Sequence, residues 1–184
     1  MSRFDISTIL SIWVSIILIV SGCAGVQRPS SEADAFLTRG VAYEKKGQHD
    51  RAISDFTESI RLDPRYAAAY YNRGISHGRK GLHERAIDDF TRAIEIDQRD
   101  AAAYYNRGIS YGKQGQFDLA IDDFTMAIEI KPNYAGAYLN RAAVYYSKWE
   151  YEKAWDDVHK VQALGYQVPQ VFLKALREDS GRQK

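Results

Sequence analysis

Two kinds of apolar pattern divide the chain. Near the start, Ile6 to Val20 is uncharged and mostly apolar, with ILSIWVSIILIV at its centre. From residue 33 onward the bulky apolar positions are instead interrupted and periodic. Phe36 and Tyr43, Tyr104 and Tyr111, and Tyr138 and Tyr145 stand seven apart, which is two helical turns, so each pair shares one face of a helix. The arrangement returns every 34 residues: Gly40, Gly74 and Gly108 keep that spacing, and Ala142 takes the next equivalent place. Ala52, Ala86, Ala120 and Ala154 follow it, as do Phe56, Phe90, Phe124 and Val158. Four blocks result, 33–66, 67–100, 101–134 and 135–168, and the central two are nearly identical (AAAYYNRGISHGRKG against AAAYYNRGISYGKQG).

Each block predicts two helices and a turn. Gly47, Gly81 and Gly115 fall between them, where a left-handed C-terminal cap is easiest for glycine. Asp50, Glu84, Asp118 and Glu152 then open the second helix, where the helix dipole favours negative charge. Small residues at the eighth and twentieth places let the two helices approach, and Phe56, Phe90 and Phe124 are expected to pack onto the next hairpin. One hairpin cannot bury its apolar face alone, so stability has to come from stacking. The last block departs from the pattern: Trp149 replaces the turn glycine, Trp155 and Val158 alter the second helix, and Gly165 ends it early. Beyond it, roughly Pro169 to Asp179 predicts a ninth helix with Val171, Phe172, Ala175 and Leu176 on one face, suited to covering the open end of the stack.

Period, order of elements and residue types together resemble the tetratricopeptide repeat family. Its unit reads bulky–x2–L–G–x2–Y, then A–x3–F, then A, then P; Pro64 and Pro132 hold the last place in two blocks. The resemblance implies an all-α fold, a right-handed α-solenoid of four helical hairpins plus a capping helix at 169–184. It also implies a non-enzymatic scaffold that binds protein or peptide partners in a concave groove lined by the first helices. Places 2, 5, 6, 9, 12 and 13 would face that groove. The sixth place reads Thr38, Asn72, Asn106 and Asn140, and a carboxamide can both donate and accept hydrogen bonds. Such a row resembles the asparagine ladder in the repeats of O-linked N-acetylglucosamine transferase; the other reading is that these amides merely solvate the groove or bond to the neighbouring hairpin. Tyr71, Tyr105, Ile75 and Ile109 add an apolar strip, and Lys45, Arg79 and Lys113 a basic edge. Family members that clamp chaperone C-termini carry Lys at the fifth place and Asn at the ninth. Leu37 or Tyr71 and Val41 or Ile75 stand there instead, which argues against that subtype.

Arg39, Arg73, Arg107 and Arg141 could look like an anion-binding column. Asp55, Asp89, Asp123 and Asp157 follow each by sixteen residues on the paired helix, so an internal ion pair in every hairpin accounts for both sets.

The start of the chain adds an address. The apolar segment is shorter than the about 20 residues of a membrane span and ends in Val20-Ser21-Gly22-Cys23, which resembles a bacterial lipobox. That resemblance implies a signal peptide over 1–22, lipidation of Cys23 and a linker over 23–32 that tethers the repeats to an envelope membrane. Ala24 after the cysteine resembles outer-membrane sorting. The alternative is an uncleaved anchor, because no charge interrupts Ile6 to Val26. Cys23 is the only cysteine, which excludes an internal disulfide. A formal charge of +1 argues against an electrostatic nucleic-acid binder. His49, His77, His83 and His159 form no catalytic or metal-binding spacing, and His77 stands where other blocks carry tyrosine, as a packing substitute. No enzyme activity and no cofactor are expected; an accessory role beside an enzyme stays open.

Overall fold

The computed structural model describes residues 30–181; the apolar segment and Cys23 lie outside the described residues. Among the described residues there are nine helices and no strand. They are α1 (Ser31–Lys45), α2 (His49–Leu62), α3 (Ala67–Arg79), α4 (His83–Ile96), α5 (Ala101–Lys113), α6 (Phe117–Ile130), α7 (Ala135–Ser147), α8 (Tyr151–Ala163) and α9 (Gln170–Ser180). The first eight form four hairpins, and the whole is a helical solenoid.

Every hairpin turns through the same device. Gly47, Gly81 and Gly115 have φ of +71°, +75° and +75°. The left-handed residue lets the next N–H, of Gln48, Leu82 or Gln116, donate back to the carbonyl of Tyr43, His77 or Tyr111. Trp149 keeps the conformation at φ +69°, and Glu150 makes the equivalent bond to Tyr145. A side chain there costs about 1–2 kcal/mol, so the turn holds its shape because the flanking helices impose it.

Inside a hairpin the glycine of the first helix receives the phenyl ring of the second. A β-carbon built on Gly40, Gly74 or Gly108 would stand 2.5, 2.8 or 2.9 Å from the ring of Phe56, Phe90 or Phe124. These rings thus pack first within their own hairpin, which corrects the expectation that they serve the next one; Phe124 additionally clusters with Val144 across the junction. The reason is local: the gap left by glycine lies directly opposite the ring. In the fourth hairpin the pair becomes Ala142 and Val158, both fully buried. A methyl gained on one helix accompanies the ring lost from the other.

Between hairpins, each second helix packs on the following first helix, and α1, α3, α5 and α7 also touch in series. The second helices make no comparable contact with each other. A stack pinched along one side curves about that side, which leaves the first helices on the inner face.

The arginine–aspartate pairs lie within the hairpins. Arg39 and Asp55 meet at 2.7 Å, Arg73 and Asp89 at 2.7 Å, Arg107 and Asp123 at 2.8 Å, and Arg141 and Asp157 at 2.7 Å, each through two guanidinium nitrogens. Arg73, Arg107 and Arg141 also donate to Thr57, Thr91 and Thr125 of the preceding hairpin, at 3.1, 3.0 and 2.8 Å. One guanidinium therefore closes its own hairpin and stitches it to its neighbour. Burial pushes the Asp123 carboxyl up despite Arg107. Burial also works against the Arg107 cation, but the hydrogen bonds and charge of Asp123 outweigh it and hold that pKa above the usual value. His77 is more than a packing substitute: its buried ring sits 2.9 Å from Asp89 and joins the Arg73 pair. At the equivalent places Tyr111 and Tyr145 instead lie under the guanidinium groups of Arg107 and Arg141.

Helix α9 covers the end of the stack. It starts at Gln170 with Pro169 as its N-cap. Leu173 and Leu176 bury against Val158, Val161 and Val168, at about 1.5–3 kcal/mol each for side chains of this size. Trp155 Nε1 donates to Ser180 Oγ at 3.1 Å, Phe172 meets Tyr146 edge-on, and the Tyr146 hydroxyl donates to Asp179.

Candidate functional site

The inner face is built from places that recur on α1, α3, α5 and α7. At the sixth place Asn72 donates through Nδ2 to the Ala68 carbonyl of its own helix at 2.7 Å. Asn106 and Asn140 do the same to Ala102 and Gly136, at 2.8 and 3.1 Å. Each also donates to a tyrosine of the preceding repeat, Asn106 to Tyr71 Oη at 3.2 Å and Asn140 to Tyr105 Oη at 2.8 Å. Both amide hydrogens of Asn106 and Asn140 are thereby committed. Their carbonyl oxygens make no hydrogen bond among the described residues, and the Tyr71 and Tyr105 hydroxyls, being acceptors here, keep their own hydrogens.

Each Asn–Tyr pair therefore offers one acceptor and one donor, the complement of a peptide group. Burial raises the pKa of Tyr71 and Tyr105 above the usual tyrosine value, so these hydroxyls stay protonated and able to donate. Thr38, at the first sixth place, is exposed and takes no part in such a pair among the described residues. Ile75 and Ile109 lie half-buried beside the row.

The tetratricopeptide repeat profile matches residues 37–103 and residues 101–134. A crystal structure of MamA protein, 30% identical, superposes with a TM-score of 0.69 over 72% of this chain and 72% of that one. The chain belongs to the tetratricopeptide repeat family. A second crystal structure of MamA, 25% identical, has a TM-score of 0.71 and covers 89% of this chain and 96% of that one. The second tetratricopeptide repeat domain of human RPAP3, solved in complex with the HSP70 peptide SGPTIEEVD, is 26% identical with a TM-score of 0.62, covering 64% of this chain and 98% of that one. A comparison with curated proteins gave no match.

Against the other repeats of this tetratricopeptide array, the twelfth place of the first is anomalous. Gly78 and Gly112 hold it in the second and third repeats, whereas Glu44 holds it in the first and is buried. Its carboxylate accepts from Ser76 Oγ at 2.5 Å and from Arg79 Nη1 at 2.7 Å, and lies 3.0 Å from His49 Nδ1. Burial pushes this carboxyl up, but Ser76, His49 and Arg79 together hold it below its ordinary value. Arg79, expected as a groove cation, is thus tied to the first repeat. Lys45 and Lys113 are exposed and form no ion pair among the described residues. Sequence reasoning missed this node; the signal for it was a carboxylate at a place that holds glycine in the second and third repeats and Tyr146 in the fourth.

Proposed function

We propose that this chain is a membrane-tethered adaptor whose inner face holds an extended segment of a partner protein in bacterial envelope or secretion assembly. The observation that carries the reading is the Asn106–Tyr71 and Asn140–Tyr105 pairing, which repeats a donor and an acceptor at the period of the stack. A backbone laid along that row is recognised largely without regard to its sequence, and the isoleucines and Lys113 add apolar and basic contacts. Support also comes from the human RPAP3 domain, which was solved with a bound peptide. This chain lacks the lysine and asparagine of the dicarboxylate clamp, so its partner differs from a chaperone C-terminus. The tether rests on the apolar segment and Cys23, and the role proposed is binding, without catalysis.

The groove is tested by pull-down of envelope proteins with Asn106→Ala/Asn140→Ala in the full chain, which removes the amide of both pairs. Partner capture should fall while far-UV circular dichroism is unchanged; undiminished capture discards the row as a peptide contact. Mass spectrometry of the membrane fraction tests the tether. A chain beginning at acylated Cys23 supports lipidation, while retained Met1 supports the uncleaved anchor.

A further inference from the structure

The three junctions between repeats are built from the same places of the repeat, and they are filled differently. At the first, Glu44 with His49, Ser76 and Arg79 forms a closed polar node. At the second, Ile109 takes the ninth place of the following helix and His83 opens the second helix. The buried Nδ1 of His83 has no hydrogen-bond partner among the described residues. At the third, Ala143 replaces that isoleucine and Phe117 replaces that histidine. The loss of three carbons leaves a recess of about 290 Å³, with Phe117, Ile109, Ala143 and Val144 on its walls and Lys113 and Asn140 on its polar side. Larger recesses of about 380 and 500 Å³ exist, but the first sits at the Gly47 turn and the second among the Arg73–Asp89 and Arg92–Glu95 ion pairs.

We infer that the recess at the third junction is an anchor subsite for one bulky apolar side chain of a bound peptide, with an acidic residue next to it in that peptide. This rests on the groove reading above and specifies the partner's chemistry. Its volume lies at the lower edge of the about 300–1,000 Å³ of ligand sites, which leaves room for one leucine or phenylalanine side chain. The walls offer apolar contact. Asn140, with its nitrogen committed to Tyr105 and Gly136, keeps a carbonyl oxygen to accept the N–H of the anchor residue. Lys113, exposed and without an ion pair among the described residues, supplies the charge that an adjacent carboxylate would meet.

The experiment titrates the full-length, ¹⁵N-labelled chain with the decapeptide GSGSFEGSGS and with versions carrying alanine for the phenylalanine or glutamine for the glutamate. The parent peptide should shift the amide signals of Gly112, Lys113, Ala143 and Val144. It should bind about tenfold or more tightly than the alanine version, as burying an aromatic side chain requires. The glutamine version should bind a few-fold more weakly, a difference that shrinks in high salt. Ala143→Ile restores the residue found at Ile75 and Ile109, so the fold tolerates it; it should erase the preference for phenylalanine. Equal binding of the phenylalanine and alanine peptides, or an undiminished preference in Ala143→Ile, overturns the subsite. If shifts then still follow the Asn–Tyr row, the groove reading survives; if no peptide moves any inner-face signal, both fall.

Discussion

The opposition of Gly74 and Phe90 can be weighed by exchanging it for the Ala142–Val158 pair of the fourth hairpin. In Gly74→Ala the new β-carbon would lie 2.8, 3.0 and 3.1 Å from three ring atoms of Phe90. Carbon atoms rest about 3.5–4.0 Å apart, so a ring that is 2% exposed must move by several tenths of an ångström. Such overpacking costs about 1–3 kcal/mol, offset by about 1 kcal/mol for replacing glycine with alanine in a helix interior. The net loss is about 0–2 kcal/mol. Phe90→Val alone removes four buried carbons and leaves a void, a loss of about 2–4 kcal/mol. In the double variant the methyl occupies part of that void and the helix gain is unopposed. It should therefore be more stable than the sum of the single changes by about 1–3 kcal/mol, the range for side chains in direct contact. Urea denaturation of the full-length chain, followed by far-UV circular dichroism, measures all four corners of the cycle. The curves should be fitted with a nearest-neighbour repeat scheme, since an array of hairpins need not unfold in one step. Additivity within about 0.5 kcal/mol would mean that ring and glycine are not coupled, and the account of hairpin closure would be wrong.

Trp149→Gly should stabilise the chain by about 0.5–1 kcal/mol, because it relieves a side chain at φ +69° that is 77% exposed and packs little. Thermal unfolding should shift upward by a few degrees; a lower midpoint would show that the indole's contacts outweigh the backbone strain. Tyr66 and Tyr134 should titrate late: burial, and for Tyr66 its bond to Asp34 at 2.6 Å, push both up to about 12. Since the folded pKa exceeds the ordinary value near 10, the associated stability is complete below about pH 10 and is lost as pH rises through about 12. Absorbance titration at alkaline pH should resolve this late fraction of the 13 tyrosines, and Tyr134→Phe should reduce it; a single folded-state titration near 10 would contradict the burial argument.

The 34-residue period, the two helices in each unit and the left-handed turns were legible because each is a local requirement. Side chains seven apart share a face, and only a residue at positive φ can reverse the chain at Gly47, Gly81 and Gly115. The Arg–Asp pairing was legible as well, since a hairpin brings residues sixteen apart opposite each other. The resemblance to tetratricopeptide repeats put Asn106, Tyr71 and Arg79 on the inner face, but the sequence could not say which neighbours would use their hydrogen-bonding capacity. That was decided across the junctions between repeats: Asn106 and Asn140 give their hydrogens to tyrosines of the preceding hairpin, and Arg79 turns to Glu44. The recess beside Ala143 has the same origin, because the space a small residue leaves depends on what the adjoining helix puts opposite it. Local pattern assigns each side chain to a face; the packing of one hairpin on the next determines which of its atoms remain available to a partner.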